Sequence, residues 1–150
     1  MIKKILKKIG KNSIISQKEI ASAAHEKRNA VLKLSSEIIS KNTNKIIEAN
    51  KEDLLLANKA GLKESYIDRL LLDSKRISAI SESLISISTL PDPLSGKITK
   101  WERPNGLVIS KQPTPLGVLG IIYESRPNVT VDAAALCIKS GNSVILRCGS

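Results

Sequence analysis

Residues Leu116 to Ser150 read LGVLGIIYESRPNVTVDAAALCIKSGNSVILRCGS, and this stretch decides the fold. It opens with an aliphatic run ending at Ile122, the pattern of a strand. A polar turn follows, Tyr123 to Asn128. Asn128 to Ser140 then carries Val131, Ala134, Ala135 and Ile138 at helical spacing. Gly141-Asn142 forms a turn, and Val144-Ile145-Leu146 begins a second strand. A strand, a crossover helix and a second strand make a parallel pair. In open α/β sheets ligands sit outside the carboxyl ends of the strands. Those ends are Tyr-Glu-Ser-Arg-Pro-Asn and Arg-Cys-Gly-Ser, so chemistry belongs there.

Before this unit the texture is different. Gly96 to Trp101 and Leu107 to Lys111 are short alternating runs joined by Arg103-Pro104-Asn105-Gly106, a hairpin signal. Trp101 and Pro104 are expected to cover that hairpin. Pro91-Asp92-Pro93 stops helix. Upstream, residues 16 to about 90 read as helical. Ile20, Ala23, Ala24, Val31, Leu34 and Ile38 give one apolar stripe over Ser16–Ser40. Thr43 is placed to cap a second helix that Gly61 closes. A third, short helix holds Tyr66, Ile67, Leu70 and Leu71. Asp73 caps a fourth, with Ile77, Ile80, Leu84, Ile85 and Ile87 inward.

The chain has 150 residues, 41% of them hydrophobic, which suits a globular core and argues against disorder. Without Phe, that core must be built from Ile, Leu, Val and Ala. Net charge is +10, with Lys3, Lys4, Lys7, Lys8 and Lys11 crowded at the start. Such a balance fits nucleic acid or an anionic membrane surface. Single-strand binders also need stacking aromatics, which are scarce here, so nucleic acid and membrane are both disfavoured as partners. Ile2, Ile5, Leu6 and Ile9 mark a short amphipathic helix expected to pack on its own domain. No apolar run reaches the ~18 residues that span a bilayer, and the start does not read as a secretory signal. Cys137 and Cys148 are spaced neither as metal ligands nor as a disulfide framework, which fits a reducing, cytoplasmic setting. Cys137 is expected to be a buried hydrophobe and His25 a surface helix position.

Several blocks carry a resemblance. They are Ile46-Ile47-Glu48-Ala49-Asn50-Lys51-Glu52-Asp53-Leu54, Asp68-Arg69-Leu70-Leu71-Leu72 with Arg76-Ile77, Leu90-Pro91-Asp92-Pro93, Arg103-Pro104-Asn105-Gly106-Leu107, and Pro115 to Gly149. Over roughly residues 20 to 150 the chain resembles the N-terminal part of the gamma-glutamyl phosphate reductase (glutamate-5-semialdehyde dehydrogenase) family, in the aldehyde dehydrogenase superfamily. The resemblance implies an α/β fold: N-terminal helices, a β-hairpin, then the first βαβ unit of an aldehyde-dehydrogenase-type nucleotide-binding domain. Residues 1–150 would form one incomplete domain. It divides into a helical layer to about 90, a hairpin and linker over 91–115, and the start of the sheet over 116–150.

The family reduces L-glutamyl 5-phosphate to the semialdehyde in L-proline biosynthesis, through a cysteine thioester and hydride from NADPH. The resemblance places that cysteine beyond position 150, so this chain is expected to be inactive alone and to hold no catalytic nucleophile. It implies NADP(H) as cofactor, with Arg147 forking onto the 2′-phosphate. Tyr123, Glu124, Ser125, Arg126, Gly149 and Ser150 would line the same crevice. Ser125 and Asn128 are the candidate oxyanion donors. Glu124 and Arg126 can equally pair with each other or with neighbours. Asp132 serves the α-helix dipole. Cys148 stands where the family usually has Gly, which puts a side chain into the space of close backbone approach. A C-terminal fragment or a second copy are the protein partners to consider. The alternatives to a reductase segment are a non-catalytic interaction fragment and a basic RNA- or membrane-surface binder.

Overall fold

The computed structural model describes residues 2–96, 98–124 and 126–149. The order of elements is α1 (Ile2–Ser22), α2 (His25–Lys41), α3 (Thr43–Lys59), α4 (Glu64–Leu70), α5 (Ser74–Thr89), β1 (Thr99–Glu102), β2 (Val108–Lys111), β3 (Val118–Ile122), α6 (Pro127–Lys139) and β4 (Ser143–Arg147). Helices come first, then the hairpin, then the βαβ unit, as the sequence implies.

α2, α5 and α6 form the core. Leu32, Leu84, Ile87 and Ala135 are buried together, with Ile39, Val131 and Ile138 packed against them. α5 buries Ile77, Ile80, Ser81, Leu84, Ile87 and Ser88, a stripe at steps of three and four. Ile85 falls off that stripe and is exposed, contrary to expectation. The serines bring α2 and α5 close. Ser36 Oγ donates to the Ser81 carbonyl at 2.8 Å, and Ser40 Oγ to Ser81 Oγ at 3.1 Å.

The N-terminal helices differ most from the sequence reading. The single helix expected over Ser16–Ser40 is two, because Ala24 is extended (φ −58, ψ 150). Nothing in Ser22-Ala23-Ala24 forbids helix. The break frees α1 to lie on β4 and β3 while α2 packs on α5. It also turns a different face of α2 inward. Arg28, Leu32 and Ser36 are buried, while Val31, Leu34 and Ile38 are exposed. The first turns of α1 are not packed on the domain either: Ile2 is 72% exposed and Leu6 60%, and Ser13 is the residue α1 buries.

Arg28 explains the inward face of α2. Its guanidinium grips both oxygens of Asp92 at 3.0 and 2.9 Å and donates to the Lys139 carbonyl at 3.0 Å. Lys139 Nζ, itself buried, donates to Asn29 Oδ1 at 2.7 Å and to the Ser88 carbonyl at 3.0 Å. α2, the end of α5, the Pro-Asp-Pro segment and the end of α6 are thereby tied at one point. His25 is drawn in too, its Nδ1 lying 3.6 Å from Asp92, rather than sitting on an open surface.

Capping follows local chemistry. Asp73 accepts from Arg76 N at 2.7 Å, as expected. Thr43 is instead the first helical residue of α3, its hydroxyl donating to the Ser40 carbonyl. Gly61 (φ +68) follows α3, and Leu62 N reaches the Ala57 carbonyl at 3.1 Å. Asn50, buried in α3, closes the next connection. It donates to the Leu70 carbonyl at 2.9 Å and accepts from Leu72 N at 2.7 Å.

β1 and β2 pair antiparallel from Thr99↔Lys111 to Glu102↔Val108. Arg103 and Gly106 close the turn, with Gly106 at φ +81. Trp101 is 43% exposed, on a hairpin whose strands are exposed along nearly their whole length and which projects from the body. β3 and β4 pair parallel from Val118↔Ser143 to Ile122↔Arg147. α1 and α6 both rest on β4, so Val144, Ile145 and Leu146 are all half-buried. β3 lies further out, and Ile122 at its end is 83% exposed.

Candidate functional site

Both strands of the parallel pair end on the same side, and their last residues are joined. Tyr123 N donates to the Arg147 carbonyl at 3.0 Å, carrying the ladder one residue past β3. The loops beyond then meet. A Cβ added to Gly149 would lie 3.3 Å from Glu124 Cγ and 3.6 Å from its Cα. Arg147 is the exposed last residue of β4. It therefore stands at the carboxyl end of the strand, the side on which open α/β sheets take ligands.

α6 begins at Pro127, whose missing N–H costs nothing at N1. Arg126 is the N-cap and contributes no side-chain cap bond. The Tyr123 hydroxyl shares a 2.5 Å hydrogen bond with Thr130 Oγ1, which fixes the ring against the first turn of α6. Neither Glu124 nor Arg126 enters an ion pair among the described residues. Ser125 and Ser150 lie outside the described residues.

Two clefts meet at this helix start. One, of about 440 Å³, runs from the strand ends to α3 and α4. Tyr123, Thr130, Cys148 and Gly149 form one wall, and Leu56, Leu62 and Leu70 the other. The second, of about 520 Å³, opens between the end of α4, α5 and the start of α6. Arg126 and Pro127 line both. Asn128 lies in the second cleft, away from Cys148 and Gly149. Its amide points to Asp132 at a long 3.5 Å. The structure thus gathers Tyr123, Glu124, Arg126, Arg147 and Gly149 at the strand ends and sets Asn128 on the far side of Pro127.

Both cysteines are free thiols. Cys137 is 6% exposed, and burial pushes its pKa up, which keeps it protonated. Cys148 is exposed. His25 is half-buried, with Nδ1 3.6 Å from Asp92.

Sequence reasoning missed Asp132 as more than a dipole complement. It accepts from Ser83 Oγ at 2.8 Å and faces the second cleft. It also missed Arg28, Lys139 and Asn50. The four-residue step Arg28–Leu32–Ser36 held the signal for the first of these.

No protein-family model matches the chain. Gamma-glutamyl phosphate reductase of Brucella suis biovar 1 (strain 1330) is 46% identical over 149 residues, 99% of this chain and 35% of that protein. The crystal structure of gamma-glutamyl phosphate reductase from Thermotoga maritima superposes with a TM-score of 0.87 at 38% identity, covering 93% of this chain and 34% of that one. A NAD-dependent benzaldehyde dehydrogenase from Corynebacterium glutamicum shares the fold (TM-score 0.67, 19% identity, 91% of this chain and 28% of that one). The chain spans about a third of the length of the curated relatives it matches. Over that third, it is similar in sequence and in fold to the N-terminal part of gamma-glutamyl phosphate reductases, and it shares the aldehyde dehydrogenase fold.

Proposed function

We propose that this chain supplies the cofactor side of an NADPH-dependent reductase of L-glutamyl 5-phosphate, acting in L-proline biosynthesis in the cytoplasm. The observation that carries this reading is the alignment of 149 of its residues, strand ends included, with a reductase of that name. In the whole reaction the acyl phosphate gives aldehyde and inorganic phosphate, and NADPH supplies the hydride.

The strand ends fit a dinucleotide phosphate on their own geometry. Arg147 is an exposed planar cation where the parallel strands end, and its fork matches a phosphate dianion. Gly149 leaves open the space beside Glu124 that a Cβ would crowd. Tyr123, held by Thr130, gives the crevice a fixed wall. Arg126 and the first N–H groups of α6 favour an anion beside it. Ser125 and Asn128 are the oxyanion donors of this reading. In this reading the reacting thiol is supplied by neither cysteine of this chain: Cys137 is buried, and the resemblance places the nucleophile elsewhere.

The test is fluorescence titration of the purified chain with NADPH and NADH. NADPH should bind, and Arg147→Ala should weaken it by about tenfold while barely moving NADH. Turnover of the acyl phosphate by the chain alone, or equal affinity for both nucleotides before and after the substitution, would overturn the reading. The alternative of a basic surface binder loses its ground because α1, with its lysines, lies within the aligned residues. No described helix is long and apolar enough to cross a membrane.

A further inference from the structure

We propose that β4 offers its free edge to β4 of a second copy, so that two chains join into one four-stranded sheet about a two-fold axis at Ile145. This goes beyond the reductase reading and does not depend on it.

Successive residues of a strand direct their N–H and C=O groups to opposite sides. Ser143 N donates to the Gly117 carbonyl, and the Arg147 carbonyl accepts from Tyr123 N, both at 3.0 Å. Ser143, Ile145 and Arg147 therefore turn their backbone groups toward β3. Val144 and Leu146 turn theirs the other way, where no third strand stands among the described residues. Both are half-buried, because α1 and α6 rest on β4. The outer edge of β3 is different. Val118, Gly120 and Ile122, whose backbone groups face it, are all exposed, and water can satisfy them. Backbone groups held back from water need a partner. That need lies at β4.

A second copy meets it residue for residue. With the axis at Ile145, Val144 of each copy lies opposite Leu146 of the other, and the two exchange both backbone hydrogen bonds. Ile145 meets its own counterpart, so the central pairs are all aliphatic. Arg147 lies opposite Ser143, so no like charges face each other across the seam. Antiparallel pairing sends the two Arg147 ends in opposite directions and leaves both strand-end crevices open. The surface to bury is available. The chain exposes 10818 Å², where a compact chain of 16.3 kDa exposes about 7,500 Å². That excess is several times the ~800 Å² that each partner gives to a stable interface.

Sedimentation velocity of the 150-residue chain should show a dimer of twice 16.3 kDa. It should tighten with added salt, because each copy carries a net charge of +10. Amide-resolved hydrogen exchange reads the seam itself. Between about 10 µM and about 1 mM chain, protection of the Val144 and Leu146 amides should rise by about tenfold or more, while that of Ile145 and Arg147, already bonded to β3, barely changes. Val144→Pro removes one outward N–H, spares the β3 ladder, and should return the chain to monomer. The exchange measurement needs no variant, so it decides the matter even where proline disrupts β4. A chain still monomeric at about 1 mM, or a dimer whose Val144 and Leu146 amides stay unprotected, would overturn the proposal. So would an edge that gains protection only when the C-terminal part of a reductase relative is added, which would assign it to a strand of that part.

Discussion

Asp92 ties residues far apart in the chain to one point. It neutralises Arg28, whose side chain is 5% exposed, and also accepts from Leu94 N at 3.0 Å. Removing it leaves a buried guanidinium without its counter-charge, a loss of about 3–5 kcal/mol for pairs of this kind. Asp92→Ala should show that loss as a lowered urea midpoint, and an unchanged midpoint would mean that Arg28 finds water instead. Lys139, in the same cluster, titrates below the ordinary lysine value of 10.5. Burial is the main cause; Asp92 opposes it and Arg28 adds to it. Between the lowered folded value and 10.5, the folded chain binds fewer protons than the unfolded chain. Stability from this group therefore rises with pH across that window, and its penalty is fullest below it. Cys137 works the other way, since a thiol raised above 9.0 stabilises less as pH climbs past that value. Urea midpoints across the alkaline range should separate the two. Lys139→Met should abolish the rising component and leave the falling one.

At the scale of the elements, two glycines with the same backbone sign should behave differently. Gly141 (φ +73) ends α6, and a Cβ there would lie 2.9 Å from Leu94 Cδ1 and 3.0 Å from Pro115 Cγ. Gly106 (φ +81) sits in the hairpin turn with nothing within 4 Å. Gly141→Ala combines left-handed strain with a clash in the core and should cost about 2–4 kcal/mol. Gly106→Ala carries only the strain, about 1–2 kcal/mol. Because the hairpin projects from the body, that cost should open the hairpin locally and leave the global melting transition in place. Calorimetry with hydrogen exchange on both variants measures the contrast; equal global effects would mean the hairpin is coupled to the core. Much of this level was readable in advance. Pro127 at N1, Asp73 as a cap, Asn-Gly in the hairpin and Gly141-Asn142 between α6 and β4 are local devices, set by the residues themselves. Ile85 and the α2 stripe were not, because an apolar face shows its period without saying which neighbour it meets.

The whole molecule carries an excess of surface. A monomer of 16.3 kDa is expected to expose about 7,500 Å². This chain exposes 10818 Å². Among the described residues, the large side chains removed from water most completely are Leu32, Ile77 and Leu84. Both edges of the β3–β4 pair are open, since no third strand joins them among the described residues. Protection should accordingly be uneven. Amides of α2, α5 and α6 should exchange slowest, and those of the hairpin, the first turns of α1 and β3 fastest. The βαβ unit is itself divided, because Ala135 and Cys137 place α6 in the core while β3 lies at an open edge. Slow exchange in β3 matching that of α6 would show that its edge is covered in solution.

The sequence by itself determined the order of the elements, the parallel pair with its crossover, the turn chemistry and the strand ends at which ligands gather. Each follows from side-chain period or from backbone preferences acting within a few residues. Only the tertiary structure decided that α1 and α2 separate at Ala24, that α2 turns Arg28 inward, and that Asp132 shares a cleft with Arg126. Those outcomes join residues far apart in the chain, as Arg28 and Asp92 are. Charge pairing and burial across such distances leave no periodic trace in a linear sequence.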